Sequence, residues 1–296
     1  MVVMNGERNS VFLKDDIRSL RVGSFSPTGN SRLAAHALAG ALNERLRLPL
    51  REERWQAPEE LLGRREDRTT GGLPERHFAK HELTIISFPV YAGRLPNLLL
   101  PFLRTLRGDG TPAVAMVTFG NRSPDDAPFE LTQLLNRQGF VVVAQAAIVG
   151  QHAFSKKLAA GRPDEQDLNK LNQLAARMCE RLETVGLSAL EVDDRRREPK
   201  PYYVPRGEDG KPIDIRRVKP GLLDSCVRCG LCARICPTGA IDPLDVANVP
   251  GICVKCGACV KYCPVGAREF TDPDYLYHVW DLETRFIDRA ESEILI

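Results

Sequence analysis

The sequence has little excess charge of either sign. Lys and Arg together number 41 and Asp and Glu 39, which gives a formal net charge of +2. This imbalance is too small to predict a nucleic-acid-binding protein, for which a basic stripe is expected. The total also leaves the charge of any protein partner open.

Long apolar segments are also lacking. The longest of them, such as residues 140–149, stop far short of the roughly 20 residues that a helix needs to cross a bilayer. The N-terminal residues MVVMNGERNS contain no apolar signal region followed by a cleavage site. We therefore expect a cytoplasmic protein without a membrane span.

Histidines are few, with five in the whole chain. His36 and His278 fall in helix-like segments, while His77, His81 and His152 stand singly in polar surroundings. Each is predicted to be a surface residue, so the sequence shows no acid–base constellation and no catalytic residue.

What the first 190 residues do contain is an alternation of short apolar runs and helical periodicity. Runs rich in Val, Ile and Phe cover residues 20–25, 83–88, 113–119 and 140–149, with a weaker candidate at 48–55. Apolar residues with helical spacing fill 34–42 and 168–182. This pattern predicts a parallel sheet with helices on both faces. Cys179, on the buried face of the second helix, is predicted to be a core residue.

The rest of the chain divides into three parts. Residues 191–220 are rich in Pro, Gly and charge and are predicted to be a surface linker, in which Arg195, Arg196 and Arg197 form a solvated face. Residues 221–271 form a small second domain, and 272–296 are expected to be a helical tail packed on one domain. Residues 1–190 are predicted to be the first domain. More than one domain is expected because a chain of 296 residues is longer than one hydrophobic core usually supports.

Eight of the nine cysteines lie in an internal repeat. CVRCGLCARICPTGA, starting at Cys226, recurs as CVKCGACVKYCPVGA, starting at Cys253, at an offset of 27 residues. Each copy has the spacing C-x2-C-x2-C-x3-C-P, which is typical of bacterial ferredoxins with 4Fe-4S clusters. Zinc sites need two separated pairs of ligands and predict neither a third cysteine at the same spacing nor the duplicate.

The repeat resembles two-cluster ferredoxins over about residues 221–270. In that family the fourth cysteine of each copy ligates the other cluster. The resemblance therefore implies two 4Fe-4S clusters with the following ligands: Cys226, Cys229, Cys232 and Cys263 for the first cluster, and Cys253, Cys256, Cys259 and Cys236 for the second. It also implies low-potential one-electron transfer in an anaerobic or strictly reducing setting.

The loop after the first predicted strand has the composition of a phosphate site. It reads Ser26, Pro27, Thr28, Gly29, Asn30 and Ser31, and a helical segment follows at once. Free backbone N–H groups and hydroxyl groups converge at such a helix start. The loop lacks the Gly-Lys-Ser/Thr ending of a nucleotide-triphosphate loop and the Gly-x-Gly-x-x-Gly motif of a dinucleotide-binding fold. A capped helix without a ligand would show similar residues.

Two further loops follow later predicted strands, at the edge where an open parallel sheet places its ligand. One contains Pro89, Val90, Tyr91, Ala92, Gly93 and Leu95, and the other contains Gly120, Asn121 and Arg122. Tyr91 could stack on a planar ring or be a half-buried loop aromatic. Gly93 and Gly120 would let backbone amides approach the polar edge of a ring.

The first loop is similar to the FMN phosphate loop of flavodoxins, Ser/Thr-x-Thr-Gly-x-Ser/Thr. Together with the cysteine repeat, the chain resembles flavodoxin–ferredoxin fusion proteins of anaerobes over nearly its whole length. The resemblance implies an α/β flavodoxin-like doubly wound parallel sheet, a small α+β ferredoxin domain, and FMN besides the two clusters. Ser123 and Pro124 depart from the family, which often has an aromatic residue there.

Three functions remain open at this stage. The first is an electron-transfer protein that relays low-potential electrons between FMN, two clusters and a redox partner protein. The second is an enzyme whose flavin reduces a small molecule, such as a quinone, a corrinoid or a tetrapyrrole. The third is a ferredoxin without flavin whose first domain docks a partner. Donor, acceptor and oligomeric state are not indicated.

Overall fold

The computed structural model describes residues 11–63, 72–190 and 198–296. The strands are β1 Val11–Phe12, β2 Ser19–Ser24, β3 Leu50–Arg54, β4 Arg76–Phe78, β5 Glu82–Pro89, β6 Leu106–Gly108, β7 Thr111–Phe119, β8 Phe140–Val149, β9 Leu187–Ser188, β10 Gly221–Leu222, β11 Arg268–Glu269 and β12 Glu293–Leu295. The α-helices are α1 Asn30–Leu46, α2 Pro58–Leu62, α3 Leu100–Leu103, α4 Ala127–Arg137, α5 Glu165–Glu183, α6 Leu231–Arg234, α7 Ala258–Lys261 and α8 Pro273–Arg285.

The central sheet has the strand order β12-β8-β7-β5-β2-β3. Strands β2, β3, β5, β7 and β8 are parallel, and β12 pairs antiparallel with β8. Renumbered along the chain, the five parallel strands have the order 2-1-3-4-5, which is the flavodoxin-like doubly wound topology. The predicted fold class of the first domain is therefore confirmed, and its five strands coincide with the five predicted runs.

Both faces of the sheet are covered, as continuous apolar strands require. One core lies between the sheet and helices α1 and α5, and a second core lies between the opposite face and helices α3 and α4. All nine residues of β7 are buried. Each large apolar side chain removed from water in these cores contributes about 1.5–3 kcal/mol.

Helix α5 shows how a local sequence signal sets an element boundary. Its N-cap Asp164 accepts hydrogen bonds from the backbone N–H groups of Gln166 and Asp167, and Asp167 completes a capping box. Further along this helix, Cys179 is only 8% exposed and belongs to the core. Burial raises the pKa of its thiol. The prediction of a core cysteine is confirmed.

The C-terminal cysteine repeat folds into a small α+β unit. Strands β10 and β11 pair antiparallel, and the short helices α6 and α7 follow the two cysteine loops. Gly230 and Gly257, at φ 72° and 75°, begin these helices in the left-handed region. Each position therefore requires a residue without a Cβ, and the two halves of the repeat have the same backbone course.

The tail differs from its prediction in its last residues. Helix α8 forms as expected, but β12 at Glu293–Leu295 adds a strand to the sheet beside β8. The backbone groups of β8 would otherwise face solvent at the sheet edge, and β12 satisfies them. No helix in the described part of the chain is long and apolar enough to span a membrane.

Candidate cluster and cofactor sites

Two cavities in the small domain each gather four cysteines. The first is lined by Cys226, Cys229, Cys232 and Cys263, and the second by Cys236, Cys253, Cys256 and Cys259. This is the grouping that the ferredoxin resemblance implies, including the exchange of the fourth cysteine between the halves. Among the residues that the structure describes, no three Cys, His, Asp or Glu side chains come close enough to hold one metal ion. The thiols surround a volume instead of converging on a point.

Backbone amides point at the sulfur atoms from both halves. The N–H of Ala240 lies 3.2 Å from Cys236 Sγ, and the N–H of Ala267 lies at the same distance from Cys263 Sγ. Such donors stabilise the charged thiolate that an iron–sulfur cluster requires. The donor set and the apolar walls fit 4Fe-4S clusters.

The two cavities differ in exposure. Cys229 of the first group is exposed, whereas burial raises the pKa of Cys259 in the second group to about 12, with charge on Cys253 acting in the same direction. Burial also raises the pKa of Cys256. Cys229 therefore brings the first site to the protein surface, while the four cysteines of the second site are each only partly exposed.

The loop at the start of α1 keeps free donors. Ser26 Oγ accepts the N–H of Arg32, and Ser31 Oγ bonds the Thr118 hydroxyl at 2.6 Å. The backbone N–H groups of Thr28, Asn30 and Ser31 have no acceptor in the described part of the chain. These N–H groups, at the positive end of a 17-residue helix, fit a phosphate, although the Ser31 hydroxyl is already bound.

The second loop is a tight turn beside the first. Tyr91 and Arg94 exchange backbone hydrogen bonds, and between them Ala92 and Gly93 have φ angles of 51° and 79°. The N–H groups of Ala92 and Gly93 lack acceptors among the described residues, while Pro89, Val90 and Leu95 flank the turn. The first two loops follow β2 and β5, where the chain topology switches direction and a flavodoxin-like sheet places FMN.

The third loop is hydrogen-bonded to the C-terminal tail. Asn121 donates from Nδ2 to the carbonyl oxygens of Phe286 and Asp288, at 2.6 and 2.7 Å, and its Oδ1 accepts the N–H of Ala290. The ring of His152 packs directly on Gly120. The Arg122 side chain pairs with Asp125 and covers Tyr203. The proposed flavin contacts of Gly120, Asn121 and Arg122 stay predictions, and the side chains of Asn121 and Arg122 are bonded to other residues of this chain.

A family comparison covers the cysteine repeat. Residues 225–267 match the family model of the 4Fe-4S dicluster domain. The C-terminal unit is a dicluster ferredoxin domain. A search among the curated proteins found no match.

Solved structures similar to the first domain include flavodoxins and an NADH:FMN oxidoreductase. A flavodoxin from the domain Archaea is 13% identical, with a TM-score of 0.36, over 56% of this chain and 99% of its own. A flavodoxin of Streptococcus pneumoniae TIGR4 is 16% identical, with a TM-score of 0.36, over 55% and 98%. An NADH:FMN oxidoreductase in its apo form is 18% identical, with a TM-score of 0.40, over 57% and 91%. The strand order, and not these scores, establishes the fold.

The ferredoxin domain lies against the carboxyl edge of the flavodoxin-like sheet. Lys261 Nζ donates to the Thr28 carbonyl oxygen at 2.8 Å, and Gly257 packs against the Ala153 carbonyl oxygen. Burial raises the pKa of Tyr91, and charge on Cys256 and Cys253 raises it further. The second cluster site and the candidate phosphate loop are therefore neighbours.

The predicted linker is bound along its described part. The Tyr203 N–H donates to the Ala92 carbonyl oxygen, the Tyr202 hydroxyl to that of Leu95, and the Lys200 N–H to Asp126. Residues 191–197, with the arginine run, lie outside the described residues. The described residues that follow, Lys200, Tyr202 and Tyr203, contact residues in or next to the second and third loops.

Two histidines lie elsewhere than expected. His278 is only 5% exposed and stacks on Tyr203, while His152 packs edge-on against Phe154. Burial lowers the pKa of each imidazole to about 4. The prediction of a surface residue is wrong for His278, because its neighbour Tyr203 comes from a distant segment, while His152 is half-buried. The i, i+3 spacing of Tyr275 and His278 on α8 is a local signal of this burial.

Proposed function

We propose that this protein carries electrons between FMN at the carboxyl edge of the flavodoxin-like sheet and a redox partner, through two 4Fe-4S clusters. The observation that carries the proposal is the contact of the second cysteine site with the candidate flavin loops, together with the exposure of Cys229 in the first site. The order from inside to outside is flavin edge, second cluster, first cluster and partner.

When bound, FMN exchanges one or two electrons and each cluster exchanges one. The first loop would hold the phosphate with the free N–H groups of Thr28, Asn30 and Ser31. The Lys261 ammonium group, beside Thr28, adds positive charge at the same place. Ala92 and Gly93 offer N–H donors to the polar edge of the ring, and Tyr91 covers the side toward Cys256.

The walls of the second site keep water from it. Pro220, Ile241, Val249 and Ala258 line the cavity with its four cysteines, and Ile241, Val249 and Ala258 are each at most 9% exposed. The first site is lined in part by Val227, which is 62% exposed. An electron that reaches the first cluster is thus next to solvent, where a partner protein can approach.

The small-molecule reductase is less well supported. A group that donates a proton at neutral pH would be expected beside the flavin. His152 and His278 lie near the third loop, but their pKa of about 4 leaves both neutral at pH 7, when an imidazole accepts protons and does not supply them. Electron carriage requires no such donor.

The order of the centres can be tested with Cys229→Ser. The variant and the parent protein are loaded with iron, sulfide and FMN, reduced anaerobically, and mixed rapidly with a one-electron protein acceptor such as cytochrome c. Cys179→Ala, which removes a thiol outside both sites, is the matched control. We expect Cys229→Ser to slow reduction of the acceptor several-fold while the control does not. An unchanged rate in Cys229→Ser would contradict the outer position of the first cluster.

A further inference from the structure

Arg268 is a buried cation at the first cluster site. Its side chain is among the largest fully buried ones, with 2% exposure, and it lines the cavity with Cys226, Cys229, Cys232 and Cys263. Its Nη2 atom lies 3.7 Å from Cys232 Sγ. A guanidinium group in this place is in direct contact with a cluster ligand.

The other partners of Arg268 are neutral. Nη1 donates to the carbonyl oxygens of Pro220 and Gly221 at 3.2 and 3.4 Å, and Nη2 also donates to that of Val246. Among the described residues Nε has no hydrogen-bond partner, and the partners of the other two nitrogen atoms are carbonyl oxygens and one sulfur, with no carboxylate. A buried charge without a counter-ion is strongly unfavourable. An anionic cluster with its thiolates would supply the missing negative charge.

The internal repeat shows that this cation is specific to one half. The first copy ends in CPTGAI and the second in CPVGAR, so Ile241 and Arg268 occupy equivalent places. Ile241 lines the second cavity and Arg268 the first. The equivalent wall position is apolar at the second cluster and cationic at the first.

Another buried cation, Lys255, lies near the second cluster but contacts no sulfur. Its Nζ donates to the carbonyl oxygens of Arg216 and Cys253, at 2.7 and 2.9 Å. Its equivalent in the first half, Arg228, is exposed. Among the described residues, only Arg268 donates from a charged side chain to a cysteine sulfur of the cluster sites, and its charge also acts, from further away, on Cys259 of the second site.

We propose that Arg268 is the internal counter-cation of the first cluster and raises the reduction potential of that cluster. Reduction adds one negative charge to the cluster, and a nearby fixed positive charge in a low-dielectric interior favours the more negative state. The effect favours an electron on the outer cluster, where a partner can take it. This inference concerns the ferredoxin domain alone and does not depend on flavin binding.

The test is a redox titration of both clusters by electron paramagnetic resonance in the full-length protein. Arg268→Ile copies the residue of the first repeat, Arg268→Gln keeps hydrogen-bond donors without charge, and Arg268→Lys keeps the charge. Lys255→Met removes the other buried cation and is the matched control. The signal that Cys229→Ser alters identifies the first cluster. Iron content is measured for every variant.

We expect both neutral variants of Arg268 to disfavour reduction of the first cluster by roughly tenfold, which is about 59 mV for a one-electron couple, and to shift the second cluster less. Arg268→Lys should keep the reduction potential of the first cluster close to that of the parent protein, and Lys255→Met should leave this potential unchanged. An unchanged reduction potential of the first cluster in an iron-replete Arg268→Gln protein would overturn the proposal. Loss of the first cluster from every neutral variant, with the second retained, would also overturn it by making the role structural.

Discussion

The ammonium group of Lys261 lies 2.8 Å from the carbonyl oxygen of Thr28. This contact joins the helix that follows the second cluster loop to the loop that begins the first helix of the flavodoxin-like domain. Beside it, a Cβ atom at Gly29 would lie 3.3 Å from the Tyr262 hydroxyl oxygen. The two domains therefore meet where one would hold FMN phosphate and the other would hold its second cluster.

Lys261→Met should loosen this contact. Removing the ammonium group leaves the Thr28 carbonyl without its donor, and a charge-assisted hydrogen bond of this kind contributes about 1.5 kcal/mol or less at an exposed site. Hydrogen exchange of the Gly29 N–H, which is bonded to the Ser26 carbonyl oxygen in this loop, should become faster. Arg234→Met is the control, because Arg234 has the equivalent place in the first repeat and donates to the Cys229 carbonyl. Equal exchange in both variants would argue against an interdomain role for Lys261.

Gly29→Ala should weaken FMN binding. Gly29 has a φ of 97°, a conformation that costs about 1 kcal/mol or more for a residue with a Cβ, and the new methyl group approaches Tyr262. Fluorescence titration of the flavin-stripped protein with FMN measures the effect. Gly40→Ala is the control, since a Cβ there meets no atom within 4 Å and alanine stabilises a helix interior. Equal FMN affinity in the two variants would remove Gly29 from the site.

Asn121→Ala should destabilise the attachment of the tail. Asn121 makes three hydrogen bonds to the backbone of residues 286–290, and the loss leaves buried groups unpaired at a cost of about 2–3 kcal/mol in the free energy of unfolding. Chemical denaturation measures this loss. Asn172→Ala, on the exposed face of α5, should change stability by less than about 0.5 kcal/mol. A loss in Asn121→Ala no larger than this would contradict the clamp.

Acid should destabilise the protein through His152 and His278. Their pKa of about 4 in the folded state lies below the ordinary value of 6.5, so between these pH values the unfolded chain binds more protons. Stability is therefore complete above about pH 6.5 and falls toward pH 4, by up to about 3 kcal/mol for each histidine. Anaerobic denaturation of the parent protein and of the double variant His152→Asn, His278→Phe should show a smaller pH dependence in the variant. Parallel pH profiles would show that neither imidazole is buried as described.

The sequence predicts the strands and the cysteine groups because their signals are local. Continuous apolar runs such as residues 113–119 are typical of strands buried on both faces, and the grouping of Cys236 with Cys253 follows from the resemblance of the repeat to two-cluster ferredoxins. Cluster ligation requires thiols at fixed spacing, so a short segment of the sequence is enough to predict the clusters. The fold of the first domain follows in the same way from its alternating pattern.

Long-range contacts are what the sequence does not reveal. Asn121 reaches carbonyl groups 165 and 167 positions away, and His278 stacks on Tyr203 of a segment that reads as a linker. The short strand β12 has too few residues for a periodicity, and its pairing with β8 depends on an open sheet edge. These features depend on how the helices, strands and loops pack together in the folded chain. No local sequence pattern predicts them.

The most direct test of the relay is the cofactor content of the anaerobically purified protein. Iron, acid-labile sulfide and released flavin are assayed per chain, together with an optical spectrum. Two 4Fe-4S clusters and one FMN predict about eight irons, about eight sulfides and one flavin. Eight irons without flavin, even after incubation with FMN, would contradict the relay and leave a ferredoxin whose first domain docks a partner.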